Sequence, residues 1–204
     1  MNIDYLQVGL ALCVGVSLSA ACGFRIFVPL LAMALGVRMG GLDIDEKLAW
    51  VGSDAAIACL GAATIVEVLA YYIPVVDNFL DSIAGPAALV AGALVTGGML
   101  GSLPDWLQWS TGIVAGAGVA GTVQLGTTAV RAASTTTSAG VGNPVVSTAE
   151  NIMSTIGSFL AVVAPFLAVA GAIILLFLCI ISLRKIMRLI ARKRAKAAEP
   201  TATA

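Results

Sequence analysis

The sequence predicts an all-α, polytopic membrane protein with five or six transmembrane helices, some of them interrupted or re-entrant. Three observations predict this class. The 204-residue chain is 59% hydrophobic and 11% charged, whereas soluble domains carry about 25% charged residues. Its uncharged runs, 86–103, 112–130 and 151–183, approach or exceed the roughly 20 residues that a helix needs to cross the hydrocarbon core. Backbone groups in lipid must be hydrogen-bonded within the protein, and this requirement selects helices.

The charges divide the chain into a bundle, 1–183, and a basic tail, 184–204. The bundle holds ten acidic and four basic residues, whereas the tail holds seven basic residues and one acidic residue, Glu199. A basic segment beside a transmembrane run is typical of a cytoplasmic flank. We therefore expect a multi-pass protein of the cell inner (plasma) membrane with a cytoplasmic C-terminus. The tail is predicted to be amphipathic and to contact anionic lipids, with 195–204 disordered and with no nucleic acid as partner.

Composition also argues against several classes of site. The chain has no histidine, and its four cysteines lie in apolar segments without close spacing. This pattern favours small buried hydrophobic side chains over metal ligands. There is no glycine-rich phosphate loop followed by lysine and no serine–histidine arrangement. We expect no metal, no cofactor and no enzymatic activity.

The first apolar region, 6–37, is too long for one simple crossing. Gly23 and Pro29 interrupt its helical pattern, and Arg25 lies between them. The region is therefore either one long bent helix or two shorter pieces that turn back on themselves. Interrupted helices often mark the binding site of a transporter, although helices also bend without function.

The next elements alternate polar turns with apolar runs. Ser53 is predicted to cap a span, 55–73, that contains Glu67. Tyr71 and Tyr72, just before Pro74, are typical of a membrane interface.

Residues 75–83 are predicted to form an interfacial helix, because their apolar residues share one helical face. Asp77 and Asp81 share the other face, as a solvated acidic surface or as a possible cation site. A span at 86–103 follows, and then a helix start at Pro104–Asp105.

The last part of the bundle is predicted to cross the membrane twice, at 112–130 and then from about Thr148 to Leu183. Ser147 and Glu150 have the spacing of a capping box, and Pro165 is a predicted kink. The weakly polar segment between these spans, 132–147, is either an outer loop or re-entrant.

Alternation of the spans predicts which loops share a side of the membrane. With the tail inside, 38–52 and 103–111 are cytoplasmic, and 75–85 and 132–147 face outward. The side of the N-terminus depends on whether 6–37 bends or turns back.

Three stretches, taken in order, resemble a known family. They are Gly23-Phe-Arg-Ile-Phe-Val-Pro29, Val66-Glu-Val-Leu-Ala-Tyr-Tyr-Ile-Pro-Val-Val-Asp77 and Gly142-Asn-Pro144. The chain resembles, over about residues 8–180, the bacterial membrane family catalogued as domain of unknown function 4126. The resemblance implies a multi-pass bundle and no established activity. The family often has a charged pair just before the Ile-Pro, where this chain has Tyr71-Tyr72.

Glu67 is the strongest candidate for a functional residue, because a charge near the bilayer centre costs at least about 2.5–3.5 kcal/mol and normally finds a partner. The available partners are Arg25 and Arg131. The pair is either a site that titrates or binds an ion, or a structural ion pair. Free helix-start N–H groups beside Arg25 would favour an anion. Arg131 is expected to extend to the interface, and Glu150 to serve its capping box.

A weak inverted repeat is also possible. Ser17–Pro29 and Thr127–Pro144 each place an arginine in a stretch of small residues that ends in proline, and the second includes Asn143. Paired halves of this kind are common in secondary transporters.

We therefore expect a small channel or transporter for an ion or small polar solute. Arg25, Glu67, Arg131 and Asn143 would form its binding centre, and Asp77 with Asp81 a possible cation site. The alternative is a membrane scaffold or partner subunit that transports nothing. The small-residue runs predict close helix packing, and a homo-oligomer is expected in either case.

Overall fold

A computed structural model of the chain describes residues 4–138 and 140–198. This part of the chain contains helices and no β-strand, which confirms the all-α prediction. The elements are α1 (Tyr5–Cys22), α2 (Phe27–Arg38), a 3-10 helix (Glu46–Gly52), α3 (Asp54–Ala70), α4 (Pro74–Met99), α5 (Asp105–Thr111), a π-helical segment (Gly112–Ala117), α6 (Gly118–Ser138), α7 (Asn143–Val163) and α8 (Pro165–Ala198).

Five helices of the described chain are long and apolar enough to cross a membrane. They are α1, most of α4, the continuous helix from α5 through α6, α7, and the first part of α8. The 3-10 helix and α3 together make a sixth candidate, bent by 65° at Ser53. The prediction of five or six spans in a membrane bundle is confirmed.

The first apolar region is a hairpin, which decides between its two interpretations. The chain leaves the helical path between α1 and α2. Gln7, near the start of α1, and Gly41, just after α2, border the same cavity. α2 therefore runs back beside α1. Its 12 residues extend about 18 Å, which is less than the roughly 30 Å of a hydrocarbon core.

The helix predicted at 75–83 is present but is not a separate element. These residues are the first turns of α4, one 26-residue helix that contains Pro86. A proline inside a helix removes one backbone hydrogen bond and strains the preceding turn. Packing of α4 against α1, the π-helical segment and α6 outweighs that cost.

The predicted loop or re-entrant segment at 132–147 is also wrong. α6 continues to Ser138, where hydroxyls such as that of Ser138 donate to carbonyl oxygens one turn earlier. A tight turn follows, with Gly140 at φ +86°, a conformation that glycine adopts at little cost. α7 begins at Asn143 with Pro144 in its first turn. Glu150 is therefore well inside the helix, and the capping-box prediction is wrong.

Pro165 marks the turn of a second hairpin rather than a kink. Ala164, just before it, leaves the helical conformation, with φ −141° and ψ 69°. On α7, the Ser154 hydroxyl donates to the carbonyl of Ala21, at the end of α1. On α8, Ala172 packs beside Ala20 in the same turn of α1. Because Val162 and Pro165 border the cavity at the start of α1, α7 and α8 are antiparallel.

The two hairpins give the bundle an acidic end and a basic end. The acidic end contains the start of α1 and the turns after α2, α4 and α7, with the acidic side chains Asp4, Asp43, Asp45, Glu46, Asp54 and Asp105. The basic end contains the turns after α3 and α6 and the outgoing part of α8. The tail thus lies opposite 38–52 and 103–111. The prediction that they share a side is wrong, because α7 and α8 are two crossings.

α8 extends as one helix to Ala198, so the basic segment from Arg184 continues the last span without a break. Residues 195–198 are its final turn. The rest of the segment predicted to be disordered, 199–204, lies outside the described residues.

Small residues produce the closest helix contact, as the composition predicts. A Cβ added to Gly92 of α4 would lie 2.6 Å from the carbonyl oxygen of Gly116 in the π-helical segment. Two other local predictions are confirmed. The Ser53 hydroxyl caps α3 by accepting from the Ala56 N–H, and α5 begins at Asp105 after Pro104. The four cysteines are free; Cys22 is buried, whereas Cys59 is exposed.

Candidate functional site

Arg25 lies in the break between α1 and α2, and its side chain is almost completely enclosed, with 1% of its surface exposed. The break leaves it outside any helix, so its guanidinium can turn toward α7. There it donates to the carboxylate of Glu150 at 2.8 Å, to the side-chain oxygen of Asn151 and to the carbonyl of Ser147. A fourth hydrogen bond goes to the carbonyl of Phe24.

Arg131 reaches the same carboxylate from α6. Its Nε donates to Glu150 Oε1 at 3.0 Å, and its Nη2 donates to Oε2. The same Nη2 donates to the Ser147 hydroxyl, and Nη1 lies 3.8 Å from an oxygen of Asp81. With 4% of its surface exposed, Arg131 points inward. The expectation that it extends to the interface is wrong. We refer to Arg25, Glu150 and Arg131 as the arginine–glutamate cluster.

Tyr71 supports both arginines through its ring. The guanidinium carbons of Arg25 and Arg131 lie 3.9 Å and 4.5 Å from the ring centroid, which is within the range of a cation–π interaction. Tyr71 is buried, and Tyr72 is partly exposed and hydrogen-bonds through its hydroxyl to Thr148. The prediction of an interfacial tyrosine pair therefore fails for Tyr71.

Glu67 occupies a different position from the one that the sequence suggests. Its carboxylate accepts the N–H of Ile26 at 2.8 Å and that of Phe27 at 3.0 Å. These are the first N–H groups of α2, which have no partner within the helix. Glu67 thus caps α2 from a neighbouring helix, and its negative charge faces the positive end of the helix dipole. The free helix start expected beside Arg25 is filled by this carboxylate.

Among the described residues, Glu67 does not form the predicted ion pair with an arginine. The carboxylate that joins Arg25 and Arg131 belongs to Glu150. Sequence position alone favoured Glu67, because it is central in its apolar run, whereas Glu150 has a plausible role at a helix start.

Asp77 and Asp81 both lie on α4, but Asp81 faces Arg131, and the side chain of Asp77 lies outside the described residues. No group of three acidic or cysteine side chains suited to a metal ion occurs in the part of the chain that the structure describes.

Asn143 lies apart from the cluster, at the start of α7. Its side chain exchanges hydrogen bonds with the hydroxyl of Thr135 on α6. The proposed inverted repeat also pairs unlike structures, because Arg25 lies in a helix break and Arg131 lies inside α6.

The buried face of α7 is polar along its length. Its buried residues are Ser147, Glu150, Ser154, Ser158 and Ala161. The Ser158 hydroxyl, with 1% of the residue exposed, has no hydrogen-bond partner among the described residues. This polar stripe is visible in the sequence as a helical repeat once α7 begins at Asn143. It is the signal by which Glu150 could have been found.

The polar stripe leads toward a cavity of about 660 Å³ at the acidic end. The cavity is bordered by the start of α1, the segment 41–47, the turn after α4 and the α7–α8 turn. Val162, four residues after Ser158, is on its wall. At 1.5 Å per residue, Glu150 lies about 18 Å along α7 from Val162.

Asp45 holds the wall of this cavity in place. Its backbone N–H donates to the carbonyl of Gly98, and its carboxylate accepts from the side chain of Gln108 and the N–H of Lys47. The Gln108 and Lys47 hydrogen bonds lower the pKa of Asp45. A salt bridge between Lys47 and Asp105 lies on the same wall.

Comparison with known proteins gives a family without an activity. The profile described as "domain of unknown function (DUF4126)" matches residues 12–185, which extend from within α1 to the first part of α8 and include the whole arginine–glutamate cluster. No curated protein matches the chain, and no solved structure does. On the extent of the profile match, the chain belongs to the DUF4126 family.

Proposed function

We propose that this membrane protein moves a small ion or polar solute, with the arginine–glutamate cluster as its polar centre. One observation carries the proposal: the polar stripe of α7 runs from the cluster near the basic end to Ser158, which is about one turn before Val162 on the wall of the cavity. Small residues such as serine let membrane helices approach closely, and the stripe adds the charged carboxylate of Glu150 to three serines. Here Ala161 is the single apolar member of the buried face.

The depth of the cluster supports this function. Glu150 is seven residues after the start of α7, and Arg131 is seven residues before the end of α6. That spacing corresponds to about 10 Å of helix, so the charges lie below the turns of the basic end. Charges at such depth are costly and commonly mark ion or substrate pathways.

The unpartnered hydroxyl of Ser158 supports it as well. A buried polar group without a hydrogen bond costs about 1–3 kcal/mol. In a transport pathway the same hydroxyl would interact with a passing ion or water molecule.

The alternative is a scaffold that transports nothing, and a specific observation favours it too. Glu67 is occupied as a cap, and Glu150 is shared by two arginines. A network of this kind can lock a bundle without any flow through it.

Flux measurements on purified protein in liposomes distinguish the two functions. Ions and small solutes are offered one at a time to the natural chain and to Ser158→Val, which removes a hydroxyl from the stripe without touching a charge. Thr155→Val is the matched control, because Thr155 is on the exposed face of the same helix. Flux that falls at least tenfold in Ser158→Val and persists in Thr155→Val supports transport. A folded natural chain that moves no solute favours the scaffold.

Glu67→Gln separates the candidates within the site. A glutamine keeps one acceptor oxygen for the N–H groups of α2 and removes the charge. If Glu67 only caps α2, this variant loses stability and retains flux. Loss of flux in a Glu67→Gln variant that still folds would indicate that Glu67 belongs to the polar centre.

The proposal includes an orientation and partners. With the basic end in the cytoplasm of the inner (plasma) membrane, the tail of α8 follows the positive-inside rule and meets anionic lipids. A homo-oligomer would use outward-facing glycines such as Gly118 and Gly171, beside which an added Cβ meets open space. We propose no catalytic role, cofactor or nucleic-acid partner.

A further inference from the structure

The cavity at the acidic end has an apolar interior. Its volume of about 660 Å³ is within the roughly 300–1,000 Å³ of small-molecule sites. Its wall on α1 runs from Gln7, which is exposed, to Val14, which is buried. These residues are about 10 Å apart along the helix, so the cavity extends well below the start of α1. Apolar side chains from α1, α4 and α7 form this interior, among them Leu10, Ala11, Val14, Met99 and Val162.

The mouth of the cavity is acidic. Asp43 and Glu46 border it with exposed side chains, so they lie where the cavity opens. Among the described residues, neither carboxylate has an ion-pair or hydrogen-bond partner. Lys47 borders the same cavity, but its ammonium group is paired with Asp105 at 2.9 Å. Carboxylates at the opening of a cleft with low-dielectric walls concentrate cations there.

The wall that carries these carboxylates is fixed in place by packing. The N–H of Asp45, in the middle of this wall, donates to the carbonyl of Gly98 at 2.9 Å. The Asp45 carboxylate accepts from the buried side chain of Gln108 at 2.6 Å. Gly101 lies so close to this wall that an added Cβ would be 2.6 Å from the Cα of Asp45. The cavity is therefore preformed, and a ligand would not have to order its wall on binding.

The mouth and the interior together select one class of ligand. The acidic mouth alone would be an ordinary solvated surface, and the apolar cavity behind it is the independent feature that points to a ligand. An inorganic cation would leave this interior without a partner, and a phospholipid would bring its phosphate to the carboxylates. An organic ammonium ion matches both parts, because its N–H groups donate to carboxylates and its apolar body is removed from water.

We propose that the cavity at the acidic end binds a small organic cation. Its protonated amine contacts Asp43 and Glu46, and its apolar body lies between the start of α1 and the α7–α8 turn. This site is separate from the arginine–glutamate cluster, which lies toward the other end of the bundle. The inference goes beyond the proposed transport function, because binding in this cavity requires no flux.

Equilibrium dialysis of the natural chain tests the ligand class. Purified full-length protein in detergent is dialysed at neutral pH against isotope-labelled hexylammonium, with detergent alone as the blank. Methylammonium, hexanol and hexanoate are the competitors, which carry only the charge, only the apolar body, and the apolar body with the opposite charge. We expect saturable binding of hexylammonium. Each competitor should be weaker than unlabelled hexylammonium by about tenfold or more, the change that follows the loss of one hydrogen bond to a charged group.

The opposite results overturn the proposal. Absence of saturable hexylammonium binding would remove the site. Hexanol or hexanoate competing as strongly as hexylammonium would indicate an apolar groove that does not distinguish charge, such as one for a lipid chain. Methylammonium competing equally well would indicate a cation site without an apolar part. None of these results alters the flux measurements, so the transport proposal is judged separately.

The double variant Asp43→Asn, Glu46→Gln tests the mouth. It keeps the size of both side chains and removes both charges, so hexylammonium should bind about tenfold more weakly. Asp54→Asn is the matched control, because Asp54 is an exposed carboxylate at the same end that pairs with Arg38. Equal affinities in the double variant and in Asp54→Asn would contradict the assignment of the amine to the mouth.

Ala11→Leu tests the interior and leaves every charge in place. The larger side chain would occupy part of the cavity and weaken hexylammonium binding several-fold. Ala62→Leu, on the exposed face of α3, is the matched control, and melting temperatures report whether each variant folds. Unchanged affinity in a folded Ala11→Leu variant would place the ligand outside the cavity and overturn the proposal. If a variant does not fold, the competitor series on the natural chain still decides the question.

Discussion

The side chain of Glu150 holds two arginines, and this sharing is the main residue-scale feature of the bundle. Both arginines are buried and come from segments far apart in the chain, the α1–α2 break and α6. The carboxylate therefore connects three parts of the bundle at one point. Its loss would leave charge that the surrounding protein cannot solvate.

Glu150→Gln is expected to destabilise the bundle by about 3–5 kcal/mol, because removing one partner leaves buried charge uncompensated. Thermal unfolding in detergent at neutral pH measures this loss. Arg38→Gln is the control, since exposed ion pairs contribute at most about 1 kcal/mol. Equal melting temperatures for Glu150→Gln and the natural chain would contradict a stabilising cluster.

Asp45 gives a second prediction at this scale, and it concerns pH. Its folded pKa is below the ordinary value of 3.8, so its hydrogen bonds stabilise the fold fully above that value. This contribution is lost as the pH falls through the lower, folded pKa. Melting temperatures measured from pH 6 down to pH 3 should fall more steeply for the natural chain than for Asp45→Asn. Parallel curves would contradict the assignment.

Residue type and spacing predicted Arg25 and Arg131 as candidate partners of Glu67, with Arg131 extending to the interface. In the structure both arginines are buried, and the acidic residue that they share is Glu150. A glutamate in the middle of an apolar run is conspicuous, as Glu67 is. Glu150 follows a serine at capping-box spacing, so local chemistry explains it without any long-range contact. The choice between these roles depends on where α7 begins, and that boundary is set by tertiary packing.

At the scale of elements, helix boundaries account for most of the differences between prediction and structure. Apolar runs predicted a total of five or six spans, because length and hydropathy identify candidate crossings. They placed a single span over 148–183, where the structure has two. Proline at position 86 predicted an interruption that is absent, and the polar residues at 132–147 predicted a long connection where the structure has a short turn between Ser138 and Asn143. In a bundle, neighbouring helices stabilise such segments, and short hydroxyl side chains bond to their own helix.

The contact between α4 and the π-helical segment allows a sharp test of packing. Gly116→Ala should destabilise the bundle by about 1–3 kcal/mol, because the methyl group would meet the backbone of Gly92. Gly118→Ala is the matched control. Nothing lies within 4 Å of an added Cβ there, and alanine is the better helix former by up to about 1 kcal/mol. Equal melting temperatures for the two variants would contradict the close approach.

At the scale of the whole molecule, the two hairpins determine which surfaces share a side of the membrane. Charge asymmetry predicted a basic side, and the structure adds that acidic turns gather at the opposite end. The sequence could not give this arrangement, because counting crossings requires knowing that 6–37 and 143–198 each turn back. The residues at both reversals are of types that would equally predict a bend within one continuous helix.

Single cysteines placed in a cysteine-free version of the chain test this topology. The replacements are Asp43→Cys at the acidic end, Val141→Cys at the basic end, and Arg188→Cys on the tail of α8, all at exposed positions. An impermeant thiol reagent applied to intact cells should label position 43 and spare positions 141 and 188 until the cells are opened. Labelling of 188 together with 43 would contradict the α7–α8 hairpin.

The position of Glu150 in α7 has a consequence for biogenesis. The chain is made from its N-terminus, so Arg25 and Arg131 both leave the ribosome before the carboxylate that neutralises them. Until α7 arrives, Arg131 has Asp81 of α4 nearby, whereas the described ion pair of Arg25 is with Glu150. α7 is the least apolar of the five candidate spans, and α8, which follows it, is the most apolar. The charge of Arg25 is thus neutralised only after α7, the candidate span with the lowest hydropathy, has been synthesised. α8, which has the highest hydropathy, follows it directly.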